Sequence, residues 1–257
     1  ECDLEWIPRT ANFQEGYQRT ERGRGGFHME ATRFNQFGFW KGQIRCANRT
    51  LKVDPGRVFG TKDRSWGIRP VGDPAPPGAP ASQVPQFFFL WAPLHWSDRC
   101  THLGVFENEF GVAWHWDGLV MPTYEDPESL PGIEDPAARP LMKVEHDLDF
   151  ISGTRRASGG ELAWIHADGH REVVRIEPIL CFRMKGIGYS HPEWGHGRWK
   201  GEEVLGGESW KVDDVAENDP QNLHIQQVIR VQSDTGQGFC EHKRLLVVEY
   251  FDCARVD

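Results

Sequence analysis

Short apolar runs rich in aromatic residues recur along the whole chain, and glycine or proline separates each run from the next. The 257 residues include eleven Trp and fifteen Phe beside 28 Gly and 17 Pro. Aromatic residues favour strands, whereas glycine and proline favour the turns between strands. Beyond one short turn, no stretch has the apolar period of a helix, and no fixed repeat indicates a solenoid. The sequence therefore predicts an all-β fold, either barrel or sandwich.

The first third of the chain predicts an antiparallel meander. Extended segments are expected at residues 27–37, 39–46 and 50–59. Gly38 is predicted to join the first two segments, because glycine permits tight backbone turns. The meander ends at the glycine-bracketed segment of residues 60–70, which holds an aspartate, a tryptophan and two arginines.

Residues 73–86 contain five prolines and no strand period, which indicates a semi-rigid connector or a long surface loop. This linker predicts two domains, residues 1–72 and residues 87–257. About 72 residues are few for a closed barrel. The first domain is therefore expected to be partial, truncated or completed by strands from elsewhere.

The second region predicts a longer series of strands. We expect them at residues 87–92, 101–106, 112–116, 141–151, 161–167, 171–185, 223–232 and 244–251. Asp117-Gly118 and Asp168-Gly169 are predicted to form hairpin turns, since Asp-Gly suits a type I′ turn. The acidic, proline-rich residues 122–140 predict a long loop, and loops of this length often form the lid or the rim of a site.

Composition excludes several classes of function. The net charge is −9, and lysine and arginine are scattered among acids, which argues against nucleic acid or an anionic membrane as partner. No apolar run reaches the roughly 18 residues of a membrane span, and the first residues have no signal-peptide pattern. We therefore expect a cytoplasmic protein. The six cysteines form no Cys-x-x-Cys pair, and no Gly-x-Gly-x-x-Gly or Gly-x-Ser-x-Gly motif occurs, so neither a metal nor a cofactor is predicted.

Asp63 is the candidate catalytic residue, and two interpretations of it compete. Desolvation by Trp66 and nearby phenylalanines raises a carboxyl pKa, as a general acid that acts near neutral pH requires. Arg64 and Arg69 act in the opposite direction, because a nearby cation favours the carboxylate. The second interpretation, which we favour, is structural: an arginine pairs with Asp63, and Trp66 fills the junction between the domains.

The segment Gly60-Thr-Lys-Asp-Arg-Ser-Trp-Gly-Ile-Arg resembles the hallmark of the AttH-like, two-domain lipocalin-like proteins, which include the carotenoid 1,2-hydratases. Residues 186–201 also resemble a signature of the uncharacterised bacterial branch of that group. The resemblance implies two β-barrel or β-sandwich domains with an apolar ligand cavity. It also implies an aspartate that protonates an isolated double bond, and Asp63 matches that position.

This chain departs from the hydratase pattern near the same aspartate. Thr61 stands where the hydratases carry tyrosine. Phe34 and Gln36 align with their His-x-Trp pair, and His28 is the nearest substitute for that histidine.

Several further side chains are candidates for ligand binding. His191 and His196 flank Pro-Glu-Trp-Gly and could serve acid–base or metal chemistry, although a loop held by tryptophans explains them as well. The segments His-Trp-Ser-Asp at 95–98 and Trp-His-Trp-Asp at 114–117 lie near predicted strand ends, where binding residues are common, although such aromatic residues also fill cores. The predicted ligand-binding set is Trp66, His28, Phe34, Gln36, Trp96, His115, Trp116, His191 and His196.

These features predict a protein that binds a small hydrophobic molecule, such as a terpenoid, a lipid or a polyketide. In the sharper form of this hypothesis the protein hydrates or isomerises that molecule by acid catalysis. The alternative is a non-catalytic carrier in which the segment around Asp63 has a structural role.

Overall fold

A computed structural model describes residues 1–20, 29–68, 87–108, 110–154, 156–183, 191–195, 197–216, 219, 222, 224–234 and 244–252. The fold is all-β, as the sequence predicts. The first six strands are β1 (Cys2–Pro8), β2 (Phe13–Gln14), β3 (Gln18–Thr20), β4 (Met29–Cys46), β5 (Arg49–Val53) and β6 (Phe59–Ile68). The next ten are β7 (Phe87–Trp91), β8 (Leu94–His95), β9 (Arg99–Asn108), β10 (Ala113–Pro122), β11 (Arg139–Pro140), β12 (Lys143–Phe150), β13 (Ala157–Ile165), β14 (Arg171–Arg183), β15 (His224–Asp234) and β16 (Arg244–Asp252). Two single-turn 3-10 helices lie at Pro127–Ser129 and Val212–Asp214. No helix in these ranges is both long and apolar enough to span a membrane.

The first sheet is built on the long strand β4. Strands β1, β2 and β3 pair with it along one edge, and β5 and β6 pair along the other. The predicted break at Gly38 is wrong, because β4 runs through this residue without interruption. Residues 60–68 of the segment that begins at Gly60 are likewise part of strand β6.

Gly38 and Gly60 lie within strands and allow close packing of neighbouring side chains; neither forms a turn. They face each other across β4 and β6. A Cβ atom at Gly38 would lie 2.6 Å from the Trp6 ring, and one at Gly60 would lie 2.5 Å from Nε1 of Trp40. The two indole rings meet edge to face, with centroids 4.9 Å apart. The missing side chains therefore make room for a tryptophan pair on the strand surface.

The second sheet contains the remaining ten strands, in the order β11-β10-β9-β7-β16-β15-β14-β13-β12, with β8 added to β9. Its two ends curl toward each other. The backbone N–H of Leu141 donates to the Gly118 carbonyl (2.9 Å), and a Cβ atom at Gly118 would lie 2.7 Å from Cγ1 of Val144. In the described residues, however, no continuous ladder joins β10 to β12. The concave side encloses the main core, which includes Leu103, Trp164 and Ile229.

Strand β9 is buried on both faces. Leu103 and Val105 point into the main core, whereas His102 and Phe106 point toward the first sheet. The sheets also contact through the buried Arg9, whose Nη2 donates to the carbonyls of Trp96 (2.6 Å) and Ser97 (2.8 Å). The outer surface of β7, β9 and β10 is therefore an interface between sheets.

Two predicted hairpin turns have opposite outcomes. The hairpin at Asp168-Gly169 is confirmed, because it connects β13 to β14, but it is not the expected type I′ turn, since Gly169 has φ +83° and Asp168 has no positive φ. The turn at Asp117-Gly118 is wrong, since both residues lie within β10. The predicted linker, residues 73–86, lies outside the described residues. Strands β1–β6 precede it and β7–β16 follow it, but the division into domains stays a prediction.

Candidate functional site

Four ionisable side chains converge where the first sheet packs on β9 and β10: Glu15, His102, His115 and Asp117. We call this group the junction cluster. Glu15 lies directly after β2, and His102 lies on β9. His115 and Asp117 lie two residues apart on β10, so they share one face of that strand. Three separate parts of the chain therefore contribute to the cluster.

The cluster is compact and mostly buried. One ligating atom each from Glu15, His102 and Asp117 can be chosen so that all lie within 4.8 Å of one another. His102 is fully buried, and Glu15 is 3% exposed. Nε2 of His102 lies 3.3 Å from Oε1 of Glu15.

Two glycines leave space beside these groups. Asp117 pairs across the ladder with Gly104, where a Cβ atom would lie 3.5 Å from Nε2 of His102. Gly16 donates its backbone N–H to Oδ2 of Asp117 (2.5 Å). A Cβ atom at Gly16 would approach Cε1 of His115 to 3.3 Å. A larger residue at either position would therefore narrow the space around the cluster.

A β-bulge at Trp114 places His115 beside the cluster. The register of β9 and β10 shifts between Ala113 and His115, so Trp114 is the extra residue. Both side chains then lie near Phe106, at centroid distances of 4.9 Å for Trp114 and 5.7 Å for His115. Bulges commonly redirect side chains next to active sites.

Glu15 is held in one orientation by several donors. Its Oε1 accepts from Nδ2 of Asn35 (2.5 Å) and from Nε1 of Trp91 (2.8 Å). The Nε atom of Arg33 lies 3.9 Å from Oε2. These partners come from both sheets, so the packing of the sheets positions this carboxylate.

Three ring nitrogens of the two histidines in the cluster lack hydrogen-bond partners. Neither ring nitrogen of His102 has a hydrogen-bond partner, and Nε2 of His115 is also buried without one. Burial lowers the pKa of His102 to about 4, although the charge of Asp117 opposes this shift. Burial also lowers the pKa of His115 and raises the pKa of Asp117. Both imidazoles are therefore neutral near pH 7 and offer lone pairs.

Aromatic rings enclose the polar groups. Phe13 and Trp91 pack against His102 with centroid distances of 5.2 Å and 5.8 Å. Trp114 is 41% exposed and marks the side of the cluster that is open to solvent. The site therefore combines a buried polar centre with an apolar rim.

The predicted catalytic residue Asp63 lies next to the cluster and not in it. Asp63 pairs with Asn35 in the ladder, its side chain is 41% exposed, and its Oδ1 lies 3.6 Å from Nε of Arg33. An arginine does pair with Asp63, as the structural interpretation expects, but it comes from β4 and not from the nearby Arg64. Arg64 is exposed, and Arg69 lies outside the described residues.

Other predicted site residues lie apart from the cluster. Trp66 is 51% exposed and stacks on Phe34, with centroids 5.2 Å apart. Gln36 is buried and accepts from Nε1 of Trp6 (3.1 Å). Trp96 fills the main core, and Trp116 lies on the face of β10 opposite His115. The structure thus brings only His115 of the predicted set, among the residues described, into the cluster.

His191 holds a loop together. It is buried, its Nδ1 accepts from the backbone N–H groups of Glu193 (3.1 Å) and Trp194 (2.9 Å), and its Nε2 lies 2.7 Å from Oε1 of Glu208. His28 and His196 lie outside the described residues.

Sequence reasoning missed Glu15 and His102, and it placed Asp117 both in a predicted turn and at the end of the candidate segment 114–117. His102 carries a usable signal, because it is a polar residue within an apolar strand that both faces bury. The sequence gives no such signal for Glu15, because the segment around it has no clear apolar period.

Comparison with known proteins gives a family but no activity. No curated protein and no solved structure shows significant similarity to the chain. A family model described as a family of unknown function, DUF8625, matches residues 1–248. Because this match covers nearly all of the sequence, the chain belongs to the DUF8625 family.

Proposed function

We propose that this protein binds a small molecule with a largely apolar body, and that the junction cluster receives the polar group of that molecule. The observation that carries the proposal is the fully buried His102, neither of whose ring nitrogens has a hydrogen-bond partner, beside the half-buried His115, whose Nε2 also lacks one, and an exposed tryptophan. Unpaired buried polar atoms cost free energy. A ligand that supplies hydrogen bonds to them gains both affinity and orientation.

The apolar body has a surface available at the β9–β10 hairpin. Phe110, Val112 and Trp114 are 80%, 58% and 41% exposed. Apolar groups of this size that gather in one exposed place are typical of binding surfaces. The hairpin leads directly to His115, so one molecule can contact both the rim and the polar centre.

In the enzymatic form of the proposal, the bound molecule is hydrated or isomerised. The resemblance to the AttH-like hydratases supports this form. The same resemblance supports a lipocalin-like fold for the curled second sheet. Asp63 is a poor choice as the acid, because Arg33 lies 3.6 Å away and favours its ionised form. We therefore place the reacting part of the molecule at the junction cluster.

A carrier without catalysis is the second candidate. The contacts of the segment around Asp63 support it. Asp63 pairs with Arg33, Trp66 stacks on Phe34, and the Gly60 carbonyl lies 3.1 Å from Nε2 of His95 in the second sheet. These contacts give the segment a structural role without any chemistry.

A fluorescent apolar probe tests the binding site. N-phenyl-1-naphthylamine is titrated into the wild type, Trp114→Ala and Trp66→Ala. Loss of a ring contact removes about 1.4 kcal/mol, so Trp114→Ala is expected to weaken binding roughly tenfold. Trp66→Ala is the matched control, because Trp66 is similarly exposed but lies away from the cluster, and its affinity is expected to be unchanged. Equal affinity in the wild type and Trp114→Ala contradicts the proposed site.

Native mass spectrometry of the purified protein identifies a molecule that copurifies with it. Incubation of that complex in isotope-labelled water then separates the two candidates. Incorporation of the label into the molecule supports hydration, whereas an unchanged molecule that stays bound supports the carrier.

A further inference from the structure

Acidic groups outnumber cations in the junction cluster. Glu15 and Asp117 each place a carboxyl oxygen within 4.8 Å of a ring nitrogen of His102. Arg33 approaches Glu15 to 3.9 Å, but it lies closer to Asp63, at 3.6 Å. Within the described residues, no lysine or arginine forms an ion pair with Asp117, and Glu15 is 3% exposed. A buried carboxyl group beside a second one favours a bound cation.

The donor atoms suit a metal more than an organic cation. His102 is fully buried, yet neither of its ring nitrogens makes a hydrogen bond. A neutral imidazole offers one lone pair to a metal ion, and the adjacent carboxylates offer oxygen atoms. A mixed set of imidazole and carboxylate ligands is typical of zinc and its neighbours in the first transition row.

The spacing of the donors is close to that of a metal site. The chosen atoms of Glu15, His102 and Asp117 lie within 4.8 Å of one another. Two ligands bound at about 2.0–2.2 Å lie at most about 4.4 Å apart. Small side-chain rotations are therefore enough to bring all three groups onto one ion.

We propose that Glu15, His102 and Asp117 bind one divalent metal ion of the first transition row, with zinc as the representative ion. Two carboxylates and one divalent cation give a neutral centre. The ion gives Asp117 a positive partner and gives Glu15 a closer one than Arg33, whose Nε lies 3.9 Å away.

Neighbouring groups already hold the carboxylates in position. Asn35 and Trp91 donate to Glu15, and the backbone N–H of Gly16 donates to Asp117. Such outer contacts orient ligands and change metal affinity by about 10–100-fold when they are removed. The cluster thus has both the ligands and the supports of a metal site.

Three protein ligands leave at least one coordination position open, as in catalytic zinc sites. Asp117 is only partly buried, and His115 lies beside it near Gly16, so the open position faces the rim. Water or the polar group of a small molecule can occupy it. The metal site is argued from the junction cluster alone, whereas this role in holding a molecule rests on the proposed function.

Cobalt titration tests the metal site directly. Protein dialysed against EDTA is titrated with Co²⁺ alone, and visible absorption reports the coordination of the ion. The wild type is expected to bind one Co²⁺ per chain, and Zn²⁺ should displace it. Asp117→Asn and His102→Gln are expected to lose at least about 100-fold in affinity. A wild type that stays folded but gives no visible bands, or variants that bind as tightly as the wild type, overturns the proposal.

His166→Gln is the matched control. His166 also lies beside a buried carboxylate, but its Nε2 is 3.1 Å from Oε2 of Glu172, far along the chain from the junction cluster. Its cobalt affinity is expected to equal that of the wild type. If His102→Gln fails to fold, Asp117→Asn decides the question, because that substitution preserves size at a partly exposed position.

The apolar probe distinguishes failure of the metal site from failure of the proposed function. Retained binding of N-phenyl-1-naphthylamine in a protein that binds no cobalt overturns the metal site alone. Loss of probe binding with cobalt binding intact leaves the metal site standing and rejects the small-molecule site.

Discussion

The protein contains a second buried carboxylate cluster, and its contrast with the junction cluster is informative. Glu172 at the start of β14 is 4% exposed. Its Oε1 accepts from Nη2 of Arg99 (2.5 Å) and from the Ser233 hydroxyl. Its Oε2 accepts from Nε1 of Trp164 (2.9 Å) and lies 3.1 Å from Nε2 of His166. Both oxygens are fully hydrogen-bonded, and an arginine balances the charge.

The junction cluster uses the same residue types with the opposite result. It has two carboxylates, shares its arginine with Asp63, and leaves histidine nitrogens without hydrogen bonds. Satisfied buried networks stabilise a fold, whereas unsatisfied ones cost stability and often mark functional sites. We therefore interpret the Glu172 cluster as structural and the junction cluster as functional. Each prediction below tests that difference.

Glu172→Gln should have the largest effect. Among the described residues, the substitution leaves Arg99 with only the exposed Asp98 as a carboxylate partner, at 3.5 Å, and turns an amide N–H₂ toward other donors. Removal of one partner from a buried ion pair costs about 3–5 kcal/mol. We expect the free energy of unfolding in urea to fall by about 3 kcal/mol, because Arg99 is partly exposed. A loss below about 1 kcal/mol would show that the Glu172 network contributes little and would weaken the comparison.

Zinc should stabilise the folded protein through the junction cluster. A ligand present at roughly 100 times its Kd stabilises the state that binds it by about 2.7 kcal/mol. We expect this gain in the wild type and also in His166→Gln, but not in Asp117→Asn. Urea unfolding with and without zinc measures it. An equal gain in Asp117→Asn would place the ion elsewhere, for example on the exposed thiols of Cys2 and Cys46.

The sequence predicted the kind of fold better than its details. Aromatic and glycine content predicted strands, and Asp168-Gly169 predicted the turn after β13. The same Asp-Gly pair at 117–118 did not form a turn, because β10 continues through it and pairs with Gly104 on β9. At residues 117–118, the hydrogen bonds between β9 and β10 and the packing of the first sheet outweigh the local preference for a turn.

The junction cluster was harder to predict, because it depends on how two sheets pack. Glu15 and His102 lie 87 positions apart in the sequence. No spacing rule connects them, since Glu15 follows a two-residue strand that pairs only with β4 in the described residues. His115 was recognised because tryptophans flank it. Asp63 was selected because of the motif around it. In the structure it pairs with Asn35 in the ladder, so it lies beside the cluster and is not part of it.

Acid should remove the stability that Glu172 provides. Burial alone raises the pKa of Glu172, but the hydrogen bond from Ser233, the charge of Arg99 and the hydrogen bond from Trp164 outweigh burial and leave the pKa below its ordinary value. A lowered folded-state pKa stabilises the protein above the unfolded-state pKa of about 4.3, and that stability is lost as pH falls through the folded value. One such group contributes at most about 1.4 kcal/mol per pH unit.

We therefore expect the free energy of unfolding to fall more steeply below about pH 4 in the wild type than in Glu172→Gln. Urea titrations at a series of pH values measure both slopes. Parallel slopes would mean that Glu172 is not ionised through these hydrogen bonds, which contradicts the structural interpretation of its cluster.

Asp117→Asn should have the smallest effect on stability and the opposite sign from Glu172→Gln. Without metal, the substitution removes a carboxyl group whose ionised form is disfavoured by burial and by Glu15, since both raise the pKa of Asp117. The asparagine Oδ1 can still accept the hydrogen bond from the Gly16 backbone, so packing and satisfaction are kept. Removal of strain at a functional site commonly stabilises a protein by about 0.5–2 kcal/mol. We expect a gain of about 1 kcal/mol in urea with EDTA present, and no change for Asp147→Asn on the exposed face of β12. A loss of stability in Asp117→Asn would mean that the junction cluster, like the Glu172 cluster, is a structural network.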